Sequence, residues 1–184
     1  MRFGVISDTH GRLDPKELKA FAGVDRIFHA GDVGSDLVLK ALQQIAPVTA
    51  IRGNNDLEAP LKRLPDLQIV EIDGRAILLI HDVNDYLKPT EKVRRQLQGA
   101  DPDIILSGHS HKGMIEQKEG VIYFNPGGAG PKRFSLKRSI GLMEWDEKAV
   151  RLKLILLEGG QETSRSFRLG RRSKPSSQNP SPRQ

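Results

Sequence analysis

Apolar runs separated by polar breaks divide the first part of the chain into alternating strands and helices. Short apolar runs predict strands at residues 2–7, 26–30 and 48–52. A helix beginning is predicted at 14–17, where Asp occupies the N-cap position, Pro the first helical position and Glu the third; this helix should run to about Phe21. Ser35 caps a second predicted helix, whose apolar face consists of Leu37, Val38, Ala41, Leu42 and Ile45.

From residue 67 onward, paired strands replace this alternation. Apolar runs flank Asp73-Gly74, a strong hairpin signal. The later part of the chain predicts strands at 67–72, 76–80, 103–107, 115–117, 121–124, 140–145 and 150–157, and a helix at 90–97. A βαβαβ segment followed by hairpins favours two packed sheets with helices outside over one doubly wound sheet.

Composition separates a globular part from a tail. The 184-residue chain is 37% hydrophobic and 28% charged, which is typical of a globular domain and predicts one at 1–158. Residues 159–184 carry +5 of the net charge of +6 and are rich in Ser, Pro, Arg and Gln. We therefore expect a disordered basic tail. The near-neutral remainder argues against a nucleic-acid partner.

The residue types that are missing also narrow the function. The sequence has no cysteine, which excludes disulfides and thiolate metal ligands and fits a cytoplasmic location. Asp8 comes too early for a secretion signal, and no apolar run reaches the ~20 residues that span a bilayer. We therefore expect no membrane partner.

Polar side chains with metal-binding chemistry follow five of the predicted strands. They are Asp8 and His10, Asp32, Asn54, His81, and His109 with His111. Ligands of open α/β sheets gather beyond the carboxyl ends of strands, so these residues are expected to meet there. The i, i+2 spacing in extended backbone would point both members of each pair the same way. Neighbouring glycines allow tight turns beside the ions.

This mixed nitrogen and oxygen set predicts a pair of divalent metal ions. It suits manganese best, with iron, zinc and nickel as alternatives to the oxygen-loving calcium and magnesium. Taken singly, each residue has a structural explanation: Asp32 as a helix cap, Asn54 as a turn residue, and each histidine as a hydrogen-bonding group. His29 stays in that structural class because its sequence suggests no partner. The joint occurrence of the others at strand ends favours the metal site.

The ordered motifs resemble the calcineurin-like metallophosphoesterase superfamily over about residues 1–157. They are Asp8-Thr9-His10, Gly31-Asp32, Gly53-Asn54, His81 and Gly108-His109-Ser110-His111. Asn125-Pro126-Gly127 is similar to a loop of the small single-domain phosphodiesterases in this superfamily. The resemblance implies a four-layer α/β/β/α sandwich of two mixed sheets flanked by helices.

The resemblance also implies an activity and a division of ligands. One metal would be held by Asp8, His10, Asp32 and His111, and the other by Asp32, Asn54, His81 and His109, with Asp32 bridging. A metal-bridging hydroxide would then hydrolyse a phosphodiester or another phosphorylated substrate. A homo-oligomer is compatible with this predicted activity.

The sequence departs from the family pattern at two positions. Asn55 stands where the wider superfamily has a histidine thought to protonate the leaving group. A neutral amide can only hydrogen-bond a phosphate oxygen, so we assign Asn55 a phosphate contact and expect a preference for good leaving groups. Gly128 replaces the usual Ser, with the loss of one hydroxyl donor.

Three rival functions remain open. A non-catalytic interaction scaffold, like the retromer subunit of this superfamily, shares the fold but needs no complete set of metal ligands. A phosphomonoesterase would use the same ligand residues. A nuclease should show an extended basic groove, for which the near-neutral domain offers no sign.

Overall fold

The computed structural model describes residues 1–146 and 149–168, in which strands outnumber helices. The strands are β1 Arg2–Ile6, β2 Arg26–His29, β3 Val48–Ala50, β4 Leu67–Ile72, β5 Arg75–Ile80, β6 Ile104–Leu106, β7 Met114–Lys118, β8 Val121–Asn125, β9 Ser139–Trp145, β10 Val150–Leu156 and β11 Glu162–Phe167. The helices are α1 Pro15–Ala20, α2 Asp36–Gln43, α3 Val83–Leu87 and α4 Glu91–Gln96, with a 3₁₀ turn at Leu61–Arg63.

The strands form two mixed sheets. The first has six strands in the order β11-β10-β9-β1-β2-β3, and the second has five in the order β4-β5-β6-β8-β7. In the first sheet β1 runs parallel to β2 and antiparallel to β9. In the second, β5, β6 and β8 are parallel neighbours. The predicted arrangement of two mixed sheets is confirmed.

Three apolar layers hold the sheets and helices together. The central layer lies between the sheets and combines buried side chains of both, among them Phe3, Phe28, Ile77, Ile104 and Met143. The outer layer of the first sheet includes Ile6, Ile27, Phe21, Val38 and Leu42, from β1, β2 and the α1 and α2 segments. On the second sheet, α3 and α4 contribute Tyr86 and Val93, which pack against Leu78, Ile80 and Ile105. This is the predicted α/β/β/α sandwich.

Helix α1 begins as its sequence predicts. The Asp14 side chain accepts a hydrogen bond from the Lys16 N–H, and the Glu17 side chain reaches back to the Asp14 N–H, completing a capping box. Glu17 is fully buried and pairs with the Arg138 guanidinium, 3.1 Å away. This ion pair ties the start of α1 to the segment that precedes β9.

The boundary predicted at residue 159 is wrong for the first part of the tail. Gly159 and Gly160 have positive φ and turn the chain back, so that β11 pairs antiparallel with β10. Phe167 packs against the central layer. The strand is an edge strand whose side chains are mostly exposed, and an exposed edge carries little apolar periodicity for sequence reasoning to detect. The prediction of disorder for 169–184 falls outside the described residues.

Two smaller predictions also need correction. Leu37 is 68% exposed, so the buried side of α2 is carried by Val38 and Leu42. Residues 83–87, which the sequence pattern left outside any element, form α3, capped by the Asp82 carboxylate accepting from the Asn84 N–H at 2.9 Å. None of the helices in the described ranges has the length and apolarity to cross a bilayer.

Candidate metal centre

The predicted ligands meet where strands of the two sheets end. Backbone hydrogen bonds join the loop after β1 to the loop after β2: the Asp8 N–H donates to the Gly31 carbonyl and the His10 N–H to the Asp32 carbonyl, both at 3.0 Å. The loops after β5 and β6 are joined in the same way, since the Gly108 N–H donates to the His81 carbonyl at 2.9 Å. The ligand loops are therefore fixed to one another by their main chains.

Five of the seven side chains stand on left-handed backbone. The positive φ angles are 54° at Asp8, 45° at His10, 53° at Asp32, 64° at His109 and 56° at His111. The expectation of extended backbone for the two i, i+2 pairs is therefore wrong, because β1 ends at Ile6 and β6 at Leu106, before the pairs begin. Left-handed residues other than glycine cluster at functional sites, where the surrounding structure holds them in place.

One group of potential ligands contains Asp8, His10 and His111, whose ligand atoms lie within 4.8 Å of one another. The His111 Nε2 lies 3.3 Å from Asp8 Oδ1 and 3.3 Å from His10 Nε2. The two imidazole rings are stacked, with their planes 8° apart. Two ring nitrogens and a carboxylate oxygen thus face one small volume.

A second group shares Asp8 and adds Asp32 and His81, again within 4.8 Å. His81 Nε2 lies 3.5 Å from Asp32 Oδ2. The Asn54 amide oxygen lies 3.1 Å from His81 Nε2 and 3.0 Å from His109 Nδ1. All seven predicted ligands are therefore brought together, and the geometry places Asp8 in both groups.

The chemistry of the donor set fits divalent metals. Asp8 is fully buried, and its Oδ1 lacks a hydrogen-bond partner within the described chain. A buried carboxylate oxygen without a donor is costly in a protein interior, and a cation is one way to satisfy it. The facing ring nitrogens of His10 and His111 point to the same conclusion.

Burial and hydrogen bonding set the charge states of the site. Burial raises the pKa of Asp8. Burial also opposes ionisation of Asp32, but hydrogen bonds from His81 and Asn55 outweigh it and hold the pKa of Asp32 well below its usual range. Burial lowers the pKa of His111, which favours the neutral imidazole that binds metals. Burial also acts to lower the pKa of His81, but the hydrogen bonds of His81 to Asp32 and to the Ala30 carbonyl outweigh it and raise this pKa overall.

Two neighbouring glycines are required by close packing. A Cβ at Gly53 would lie 2.1 Å from Asp32 Oδ1, and one at Gly108 would lie 2.8 Å from Asp8 Oδ2. Glycine at these positions lets the backbone approach the ligand side chains closely. Gly128 adds a third case, since its Cβ would lie 2.4 Å from His111 Nδ1.

Asn55 contacts a ligand. Its side-chain amide donates to Asp32 Oδ2 at 2.6 Å, and its backbone N–H donates to Asp32 Oδ1 at 2.8 Å. Both oxygens of Asp32 are thereby oriented by one residue. The phosphate contact predicted for Asn55 stays a prediction, beside this observed role of positioning Asp32.

Sequence reasoning overlooked two further residues. The buried Asp56 carboxylate accepts the N–H groups of Val33, Gly34 and Gly53, and so fixes the loops that carry Asp32 and Asn54. The Arg133 guanidinium reaches the site, with Nη2 3.4 Å from His10 Nε2. The Gly-Asn-Asn-Asp sequence could have indicated Asp56, but no local pattern indicates Arg133.

His29 has a structural role, as expected. It is fully buried, and its Nε2 lies 3.0 Å from Thr9 Oγ1. The Thr9 hydroxyl donates its one proton to the Val33 carbonyl at 2.8 Å, so the His29 Nε2–H must donate to Thr9. This hydrogen bond holds Thr9, the residue between Asp8 and His10, in place.

Comparisons with known proteins agree with the fold and identify the family. A family model of the calcineurin-like phosphoesterase superfamily domain matches residues 1–148. A probable metallophosphoesterase of Methanocaldococcus jannaschii is 33% identical over 86% of this chain and 82% of its own. A phosphodiesterase of the same organism is 27% identical over 82% and 97%. The structure of Vps29 from Entamoeba histolytica complexed with Zn²⁺ superposes with a TM-score of 0.72 at 18% identity, covering 92% and 100% of the two chains.

Proposed function

The chain belongs to the calcineurin-like phosphoesterase superfamily, and from this membership we propose that it is a dinuclear-metal-dependent hydrolase of phosphodiester bonds. The observation that carries the proposal is the buried Asp8 carboxylate, whose Oδ1 has no hydrogen-bond donor in the described chain while His10 and His111 turn their ring nitrogens toward the same volume. A related phosphodiesterase supports the diester as substrate.

The residues would divide between two ions. Asp8, His10 and His111 would hold one, and Asn54, His81 and His109 the other, with Asp32 between them. We propose manganese as the native metal, with iron, zinc or nickel as alternatives, because the set mixes imidazole nitrogen with oxygen. Two such ions supply an activated water and charge stabilisation for the phosphate oxygens.

The chain's own groups position the reactants. Asn55 fixes both oxygens of Asp32. Arg133 extends its guanidinium to the site and would bind the two non-bridging phosphate oxygens, a bidentate match that favours arginine. With Asn55 in place of an acid, protonation of the leaving group would be left to solvent.

The test is hydrolysis of bis(p-nitrophenyl) phosphate by protein stripped with chelator and reloaded with Mn²⁺. The wild type should turn over the diester, and Asp32→Ala and His109→Ala should each lose more than about 100-fold in kcat/KM. Glu71→Ala is the matched control, because it removes an exposed carboxylate on β4 at the end away from His81.

A non-catalytic scaffold is the second candidate, favoured by the structural likeness to Vps29. Metal-loaded wild type without activity, or activity untouched by Asp32→Ala and His109→Ala, would establish that candidate instead. Parallel assays with p-nitrophenyl phosphate and with single-stranded DNA separate a phosphomonoesterase or nuclease from a diesterase. A small phosphorylated substrate, homo-oligomerisation and a cytoplasmic location stay predictions.

A further inference from the structure

A cavity of about 240 Å³ has the metal-ligand candidate His111 in its lining. Lys112 and Gly113, which follow His111, also line it, as do Leu136 and Lys137. Leu154 and Leu156 of β10 form much of the rest. Because His111 belongs to both the ligand set and the cavity lining, a group bound in the cavity would lie next to the site.

The charges around the cavity have one sign. Lys112 and Lys137 are both exposed and both line it, and the described residues that line it include no carboxylate. Arg133, four residues before Lys137, already reaches the metal centre, with Nη2 3.4 Å from His10 Nε2. The segment 133–137 thus places one positively charged side chain at the metal centre and another at the cavity.

The apolar part of the lining indicates which kind of chemical group the cavity would bind. The side chains of Leu136, Leu154 and Leu156 are half-buried, and Thr163 of β11 adds a hydroxyl. A lining that combines apolar side chains with a few convergent polar groups suits a small organic group with a charged end. The cavity depends on β11 and on the turn at Gly159-Gly160, so it is a property of the complete first sheet.

We propose that this cavity is a substrate subsite that takes the non-leaving ester group of a phosphodiester carrying a second anionic group, which Lys112 and Lys137 bind. The inference rests on the proposed function for the placement of the scissile phosphate at the metal centre. A nucleoside with a second phosphate has this chemistry, because its ring carbons suit the apolar lining and the added phosphate suits the two lysines.

The test compares two substrates that share one leaving group. They are thymidine 5′-(p-nitrophenyl phosphate) and the same compound with a 3′-phosphate. We expect the Mn²⁺-loaded wild type to prefer the bisphosphorylated compound by about tenfold in kcat/KM at low salt, with the preference falling as salt rises. The double variant Lys112→Gln/Lys137→Gln should bring the ratio close to one. Lys19→Gln, an exposed lysine on α1, should leave the ratio as in wild type.

A binding measurement separates the subsite from catalysis. Calorimetric titration of the metal-loaded protein with thymidine 3′,5′-bisphosphate and with thymidine 5′-monophosphate should show the same preference and the same loss in the double variant. Equal affinity for the two ligands, or a preference that survives the double variant, would overturn the subsite. If neither ester is hydrolysed while the lysine-dependent binding preference holds, the proposed function fails and the anion-binding cavity stands.

Discussion

The Asn55 side-chain amide donates a hydrogen bond of 2.6 Å to Asp32 Oδ2, a carboxylate oxygen of the second ligand group. Groups that orient metal ligands typically contribute 10–100-fold to metal affinity. Asn55→Ala keeps the backbone donor to Asp32 Oδ1 but removes the amide donor to Oδ2. We therefore expect Mn²⁺ affinity, measured by calorimetric titration, to fall by about tenfold or more.

The control for this variant is Gln117→Ala, which removes an exposed amide near the end of β7 that lies away from His111 in the chain. If Asn55 served only as a phosphate contact, Asn55→Ala would raise KM and leave the metal affinity unchanged. The two roles therefore give separable results.

The chain should depend on good leaving groups. Asn55 cannot act as an acid, and general acid catalysis is typically worth about 10²–10⁴-fold. Across aryl methyl phosphates of rising phenol pKa, we expect the wild-type rate at saturating Mn²⁺ to fall steeply. Asn55→His should make this dependence shallower. A flat dependence in the wild type would contradict the assignment.

Acid should destabilise the protein through His29. Burial lowers the pKa of this histidine from 6.5 to about 4. The unfolded chain therefore binds more protons between these values, so stability falls as the pH drops from about 6.5 toward 4. From pH 7 to pH 5 this one group should remove about 2 kcal/mol.

Urea unfolding of the metal-free protein at both pH values measures the effect. His29→Gln retains a donor for Thr9 and removes the titration, so its loss of stability between pH 7 and pH 5 should be smaller by that amount. An equal loss in both proteins would show that His29 takes no part in the acid response.

A serine at Gly128, the residue that the resemblance to the small phosphodiesterases predicts there, should impair the site. A Cβ there would lie 2.4 Å from His111 Nδ1, so the imidazole must shift from its position beside Asp8 and His10. We expect Gly128→Ser to lower Mn²⁺ affinity by about tenfold, as other disturbances around metal ligands do. Unchanged affinity would show that the ring has room to adjust. Ala129→Gly is a matched change in the adjacent residue, and it should have little effect on the metal because Ala129 belongs to the outer layer of the first sheet.

The sequence was informative about the fold wherever local physics determines it. The capping box of α1 and the hairpin at Asp73-Gly74 depend on residues a few positions apart, so both could be predicted. The strand β11 could not, because an exposed edge strand obtains its stability from β10 rather than from its own apolar pattern.

The same distinction holds at the metal centre. The ligands could be predicted from their residue types and from their positions after strands. Their left-handed backbone conformation could not be predicted in this way. Arg133 reaches His10 from a distant part of the chain, and Asn55 turns toward Asp32 rather than outward. Both contacts are made only when the loops are assembled, and no spacing in the sequence encodes them.

The position of β1 between β2 and β9 has a consequence for biosynthesis. Asp8 and His10 follow a strand whose antiparallel partner is synthesised near the other end of the domain, and the Met1 amino group donates to the Trp145 carbonyl, 144 residues away. On the ribosome, the early βαβαβ segment must therefore keep one apolar strand edge unpaired until β9 emerges. Nascent chains stalled before residue 139 should be sensitive to protease and retain no metal, while full-length chains released from the ribosome should gain both properties together.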